Sequence, residues 1–462
     1  MDAFVIQGGK RLRGTFRVHG SKNASLPLMA AALLTDQPVT LHDVPDLADI
    51  RSMGKLLVSL GCQVTRTGDG PEPEKRSLKL QTTSDSHSQA DYDIMRTMRA
   101  GICVLGPLLA RRGEARVSMP GGCAIGDRPV DLHLRGLRAL GARITLDEGY
   151  IVAEAPPEGL TGCHLFLGGP NGSTVLGTAN ILCAATLAKG TTVIESAACE
   201  PEVEDLSNLL NAMGARITGA GSPRITVEGV DALHGAEHAV LPDRIEAGTY
   251  VIASAITNGD VVIENFPTFA LTALLDRLKA VGIEVEAEET AEPVWPGADG
   301  QAEAAAATLP TPSAISSAPQ TVRVATQRRL QPVHVVTQPH PGFPTDLQAQ
   351  LMALLCLADG NSIITEKIFP DRFLHVAELS RMGADLVRTG PTVLVSGVRE
   401  LIAAPVMASD LRASAGLVLA GLAARGTTVI NRVYHLDRGY ERMELSLQQL
   451  GADIERADRD TV

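Results

Sequence analysis

Six copies of one phrase constrain this 462-residue chain more than any other feature of it. In each copy a helix-like apolar run ends at a glycine and passes directly into a strand. The copies read Leu60-Gly61-Cys62-Gln63-Val64, Leu140-Gly141-Ala142-Arg143-Ile144, Met213-Gly214-Ala215-Arg216-Ile217, Val281-Gly282-Ile283-Glu284-Val285, Met382-Gly383-Ala384-Asp385-Leu386 and Leu450-Gly451-Ala452-Asp453-Ile454. A helix that stops there commonly needs a left-handed residue just past its end, and glycine adopts that conformation at no steric cost. A second phrase precedes each copy: an Ala/Leu-rich helix, a turn, then a β-branched strand, as in Ala184 to Ile194 and Ala415 to Ile430. Chance recurrence of Leu-Gly-Ala in an Ala/Gly-rich chain would not bring the second phrase with it.

Successive marker glycines lie 80, 73, 68, 101 and 68 residues apart. The long interval contains residues 286–320, rich in Ala, Pro, Thr and Ser and without an apolar period. That stretch is expected to be a surface insertion, largely disordered. Removing roughly 30 residues restores the common period. Six units of two helices and several short strands predict an α/β protein of two domains, three units in each. Two lobes built from like units leave a cleft between them, a common place for ligands. A doubly wound nucleotide-binding sheet is the other usual outcome of such alternation. No GxGxxG after a first strand and no P-loop support it.

Composition narrows the partners. The chain carries a formal charge of −12, which argues against nonspecific binding to nucleic acid or to an anionic membrane. An anionic ligand would have to be met by a local cluster of Arg and Lys. No apolar run approaches about 18 residues, so no membrane span is expected. The first residues, Met1 to Gln7, have no basic and apolar leader pattern. The seven cysteines form no CxxC pair and no metal-spaced group with His, so no metal and no cofactor is expected. Cytoplasmic residence in a reducing environment follows as the expectation.

The chemistry-bearing stretches are few. Residues 120–132 hold Cys123 among three glycines and two prolines. This reads as a mobile loop between fixed hinges, with Arg128 close enough in sequence to favour a thiolate. A Gly-rich turn that happens to contain a cysteine is the plainer alternative. Lys22 follows Ser21, a good helix N-cap, and a cation in a first turn opposes the helix dipole. A bound anion explains it, as does a solvated surface lysine. Asp346 ends the stiff turn Pro341-Gly342-Phe343-Pro344-Thr345, as a simple N-cap or as a positioned base. Arg372, Arg412 and Arg438 sit near equivalent unit boundaries and, with Lys22, could form an anion site. Local pairing with neighbouring aspartates, Asp410 and Asp437 among them, is the alternative. Arg99 opens an apolar run. Thr174 and Val175 lie in a hydroxyl-bearing turn. Glu200 precedes a proline and so tends to be extended.

These stretches closely resemble the UDP-N-acetylglucosamine enolpyruvyl transferase family. The matching phrases are Gly20-Ser21-Lys22-Asn23-Ala24, the loop Pro120 to Leu132, Pro341 to Asp346, Asp410-Leu411-Arg412-Ala413-Ser414 and Asp437-Arg438-Gly439-Tyr440-Glu441-Arg442. The resemblance implies two domains, each an inside-out α/β barrel of three units. Domain 1 would span 22–241, and domain 2 would combine 1–21 with 242–462. It implies transfer of the enolpyruvyl group of phosphoenolpyruvate to the 3-hydroxyl of UDP-N-acetylglucosamine through a tetrahedral ketal, an early step of bacterial cell-wall synthesis. Under that resemblance Asp346 is the base at the sugar hydroxyl and Cys123 the general acid, also able to form a covalent adduct. Lys22, Arg128 and Arg438 would hold phosphoenolpyruvate, helped by Arg372 and Arg412. The nucleotide sugar would meet Asn23, Arg99, Thr174, Val175, Glu200, Ile368 and the segment Arg128, Pro129, Val130, Asp131, Leu132, His133. The chain departs from the family at Gly172, where many members have Lys, and at Thr174-Val175-Leu176, where they have Ser-Val-Gly. The rivals are a 5-enolpyruvylshikimate-3-phosphate synthase, whose family lacks the Cys loop, and a catalytically silent paralogue. The sequence sets no oligomeric state.

Overall fold

The computed structural model describes residues 2–68, 76–119, 130–288, 318–326 and 329–458. All six marker glycines adopt positive φ, from 84° at Gly61 to 100° at Gly141. They terminate the helices Ala48–Ser59, Asp131–Ala139, Pro201–Ala212, Thr272–Val281, Leu374–Arg381 and Met443–Gln449. The six-unit reading therefore corresponds to six real helix ends.

Among the described residues six four-stranded sheets follow, and all are wired alike. An edge strand runs parallel to its neighbour, and the remaining two strands pair antiparallel. In the third unit His164–Phe166 pairs with Thr191–Glu195 across the helix Val175–Thr186. The strands Arg216–Thr218 and Arg224–Glu228 complete that sheet. Each sheet remains open and mixed, and among the described residues none closes on itself as a barrel.

Two sheets take their edge strand from a distant part of the chain. Val39–His42 pairs with Glu237–Ala239, and Asp260–Phe266 pairs with Arg13–Arg17. The N-terminal strand Asp2–Gln7 inserts between Thr427–Asn431 and Asp453–Asp458 in the last sheet. Unit boundaries in space thus differ from unit boundaries in sequence. The chain leaves Arg13–Arg17, builds three sheets between Val39 and Ala239 that make up one half, and then returns to the other three.

The crossover helices carry apolar residues on all sides and are buried accordingly. Every residue of Arg244–Ile256 is buried, as is every residue of Gln348–Leu355. Gln348–Leu355 packs on Leu411–Ala423, which packs in turn on Arg244–Ile256. Among the described residues the buried apolar side chains form two clusters. One draws on residues from Ala24 to Val240, the other on Phe4 to Val18 together with Ile245 to Ile454. With 3% aromatic residues, both clusters are built mainly from Ala, Val, Leu and Ile.

The expected insertion needs its margins corrected. Glu286–Ala287 pairs with Gln320–Ala325, so residues 286, 287 and 320 belong to a sheet. Pairing of Glu286 with Arg323, of Ala287 with Val322 and of Gln320 with Phe266 fixes them, whatever their composition. Residues 289–317 lie outside the described residues. No helix among the described residues is long and apolar enough to cross a membrane.

Candidate active site

The two halves are joined by two antiparallel crossings. Gly20 bridges Pro242, Ser21 N–H donates to Leu241 O at 2.7 Å, and Asp243 N–H donates to His19 O at 2.8 Å. A cavity of about 470 Å³ opens beside them, lined from both halves.

Helix starts supply much of its wall. Lys22 begins Lys22–Ala31, where Ser21 Oγ caps Ala24 N–H. Asp49 lies in the first turn of Ala48–Ser59. Thr174 caps Val175–Thr186 by accepting from Gly177 N–H. Asp410 caps Leu411–Ala423 by accepting from the N–H groups of Arg412 and Ala413. Positive helix ends and cationic side chains thus face one space, a suitable field for an anion.

Asp346 is the pivot. It stands in the short turn Thr345–Leu347 and makes no side-chain cap to the helix that follows. Its carboxylate accepts from Arg372 Nη1 at 2.7 Å and from Arg412 Nη2 at 3.2 Å. The N-cap alternative is therefore not what the carboxylate does. Burial pushes this carboxyl up, but Arg412, Arg372 and Lys22 outweigh burial and hold it well below the usual carboxylate range.

The three arginines are not paired locally. Arg372 and Arg412 share Asp346, while Arg438 reaches across to Asp49 in the other half. Asp437 is taken by Arg456, and Asp371 by Arg388. Lys22 Nζ lies 3.7 Å from Asp49 Oδ2. Burial lowers the Lys22 ammonium below its ordinary value, Asp49 opposing that shift and Arg412 adding to it.

Most residues expected at the site line the cavity. These are Lys22, Asn23, Arg99, Asp131, Leu132, His133, Thr174, Val175, Glu200, Asp346, Ile368, Arg372, Arg412 and Arg438. Val130 does not line it; it is buried in the apolar core at the start of Asp131–Ala139, because its side chain is aliphatic. His133 is a largely buried part of the wall, its Nδ1 accepting from Asn180 Nδ2 at 2.9 Å. Cys123, Arg128 and Pro129 lie outside the described residues. Gly172 lines the cavity at φ +97°, a conformation that disfavours any side chain and fits its departure from lysine.

Sequence reasoning missed Asp49, Glu202, Arg244 and Asp410 as wall residues. Arg244 donates to Glu202 at 2.9 and 3.2 Å, tying the halves together through a buried pair. Glu200 accepts from His340 N–H at 3.3 Å, and burial raises its carboxyl above its ordinary value against the pull of Arg244. Asp49 and Glu202 look in sequence like ordinary first-turn acids, and only their partners across the cleft distinguish them.

Comparison with known proteins fits this geometry. Residues 6–447 match the family EPSP synthase (3-phosphoshikimate 1-carboxyvinyltransferase). A protein named UDP-N-acetylglucosamine 1-carboxyvinyltransferase from Anaeromyxobacter sp. (strain Fw109-5) is 49% identical over 456 residues, 99% of each chain. The crystal structure of the enolpyruvyl transferase NikO from Streptomyces tendae superimposes with a TM-score of 0.83 at 24% identity, covering 99% of each chain. EPSP synthase from Acinetobacter baumannii superimposes at 0.71 and 19% identity over 99% of this chain and 100% of its own. At such identities these two structures establish the fold and nothing finer. The full-length match at about half identity reaches further, and the chain belongs to the enolpyruvyl transferases of the EPSP synthase family, with the UDP-N-acetylglucosamine 1-carboxyvinyltransferases among them.

Proposed function

We propose that this chain transfers the enolpyruvyl group of phosphoenolpyruvate to the 3-hydroxyl of UDP-N-acetylglucosamine and releases phosphate. Its full-length relatives carry that activity in their names. The observation that carries the residue-level reading is the carboxylate of Asp346, gripped by both Arg372 and Arg412 in a cavity that also holds Lys22 and Arg438.

The chemistry divides among these groups as follows. The sugar oxygen attacks C2 of phosphoenolpyruvate while its proton passes to Asp346. C3 gains a proton, which Cys123 of the loop 120–132 would supply. The ketal then collapses: the C2–O bond to phosphate breaks and C3 returns a proton. Lys22, Arg438 and Arg128 bind the phosphate and carboxylate and stabilise the phosphate as it leaves. Asp346 is a weak base while its arginines serve it alone. Once an anionic substrate shares Arg372 and Arg412, the carboxylate loses part of that stabilisation and becomes more basic. Glu200, Arg99 and Thr174 face the same cavity and are assigned to the nucleotide sugar.

The same reading divides the chain into domain 1, residues 22–241, and domain 2, residues 1–21 with 242–462, each an inside-out barrel of three units. The two apolar clusters support that division. It places the enzyme in the cytoplasm, acting on small molecules.

The test is phosphate release with phosphoenolpyruvate and either UDP-N-acetylglucosamine or shikimate 3-phosphate. Release with the nucleotide sugar alone is expected, and release only with shikimate 3-phosphate would reverse the assignment. Fosfomycin, an electrophile that the loop cysteine of this family attacks, should add one inhibitor mass at Cys123. Modification elsewhere would refute the role given to that residue.

A further inference from the structure

We propose that Asp49 is the positioning residue that assembles the phosphoenolpyruvate-binding cations as the two halves meet. This rests on the functional reading above. Asp49 belongs to the first half and Arg438 to the second, 389 residues apart. Asp49 Oδ1 accepts from Arg438 Nε at 3.0 Å, and Oδ2 accepts from Nη2 at 3.4 Å. The second oxygen also faces Lys22 Nζ at 3.7 Å. The Asp49 side chain is only 7% exposed, so solvent screens these contacts little.

A second tie sets the approach. Three residues upstream, Asp46 N–H donates to Glu441 at 2.8 Å, three residues beyond Arg438. Buried Arg76 also donates to Glu441. The segment Asp46 to Asp49 therefore grips the turn Arg438 to Glu441 at two points, one outside the cavity lining and one on it. The outer tie fixes the approach of the halves. The inner one aims a guanidinium from the second half beside an ammonium from the first, with a carboxylate between them to offset their repulsion. A planar guanidinium held on one edge by Asp49 keeps its orientation while an anion approaches.

The test is steady-state kinetics of wild type, Asp49→Asn, Arg438→Gln and the double variant. Asp49→Asn keeps the shape and removes the charge. Its KM for phosphoenolpyruvate should rise about tenfold with a lower kcat, while the KM for UDP-N-acetylglucosamine stays within about twofold. In the Arg438→Gln background the same change should add less than about twofold, because the guanidinium it holds is gone and only the longer 3.7 Å contact to Lys22 remains. An unchanged or lower KM for phosphoenolpyruvate would make Asp49 a mere counter-charge and overturn the proposal. So would additive effects, or a joint loss of affinity for both substrates with a lower melting temperature. A wild-type protein that releases no phosphate sinks the enolpyruvyl-transfer reading instead. Calorimetric titration with phosphoenolpyruvate then still decides the role of Asp49, since equal affinity in wild type and Asp49→Asn rejects it.

Discussion

Gly20 is a glycine for want of room. A Cβ built there would stand 1.9 Å from Asp43 O and 3.0 Å from Asp43 C. The residue forms the bridge to Pro242, with Ser21 and His19 bonded to the returning crossing on either side of it. Asp43 cannot easily yield: it holds φ +56°, and its carboxylate pairs with Arg17 at 3.2 Å. Gly20→Ala must therefore move the crossing itself by at least about 1 Å to reach ordinary contact, at a cost of about 1–3 kcal/mol. Lys22 lies two residues on and moves with it. A displacement of about 1 Å at a reacting centre costs on the order of 10²-fold in rate. The expected outcome is a folded protein whose kcat/KM for phosphoenolpyruvate falls by about that factor, read by phosphate release with the sugar saturating. Calorimetric unfolding would show a modestly lower melting temperature. A kcat/KM within about threefold of wild type would refute the reasoning, since it would mean that the crossing tolerates the shift without carrying it to Lys22.

Other perturbations have equally definite outcomes. Glu202→Gln leaves Arg244 buried without its carboxylate and should cost about 3 kcal/mol in urea unfolding, while Glu202→Leu with Arg244→Met should recover most of it. Asp346 has a folded pKa depressed below its unfolded value, so its stabilisation is present above about pH 4 and lost as pH falls through the folded value. The gap in urea midpoint between wild type and Asp346→Asn should accordingly narrow between pH 7 and pH 3. His19 behaves oppositely: burial lowers its pKa, but Glu246, bonded at 3.0 Å, more than offsets this and raises it overall. Its stabilisation is complete below about pH 6.5 and is lost as pH rises through the folded value, so His19→Gln should lower the melting temperature more at pH 6 than at pH 9.

Sequence alone determined the local architecture. Six glycines at helix ends, Ser21 before Lys22 and the apolar crossover helices follow from rules that act within a few residues, and each could be read without a fold. The resemblance carried by those short phrases brought Lys22, Asp346, Arg372, Arg412 and Arg438 to one site. Tertiary structure decided the pairings. That Glu237–Ala239 closes the first sheet, and that Asp2–Gln7 enters the last, depends on strands hundreds of residues apart, for which no local pattern exists. Asp49 and Glu202 are, to the sequence, interchangeable with any acid in a first helical turn. Their meaning comes from Arg438 and Arg244, which the fold sets against them across the cleft. Local propensity is written residue by residue, whereas a charge's partner is chosen by the packing that excludes water around both.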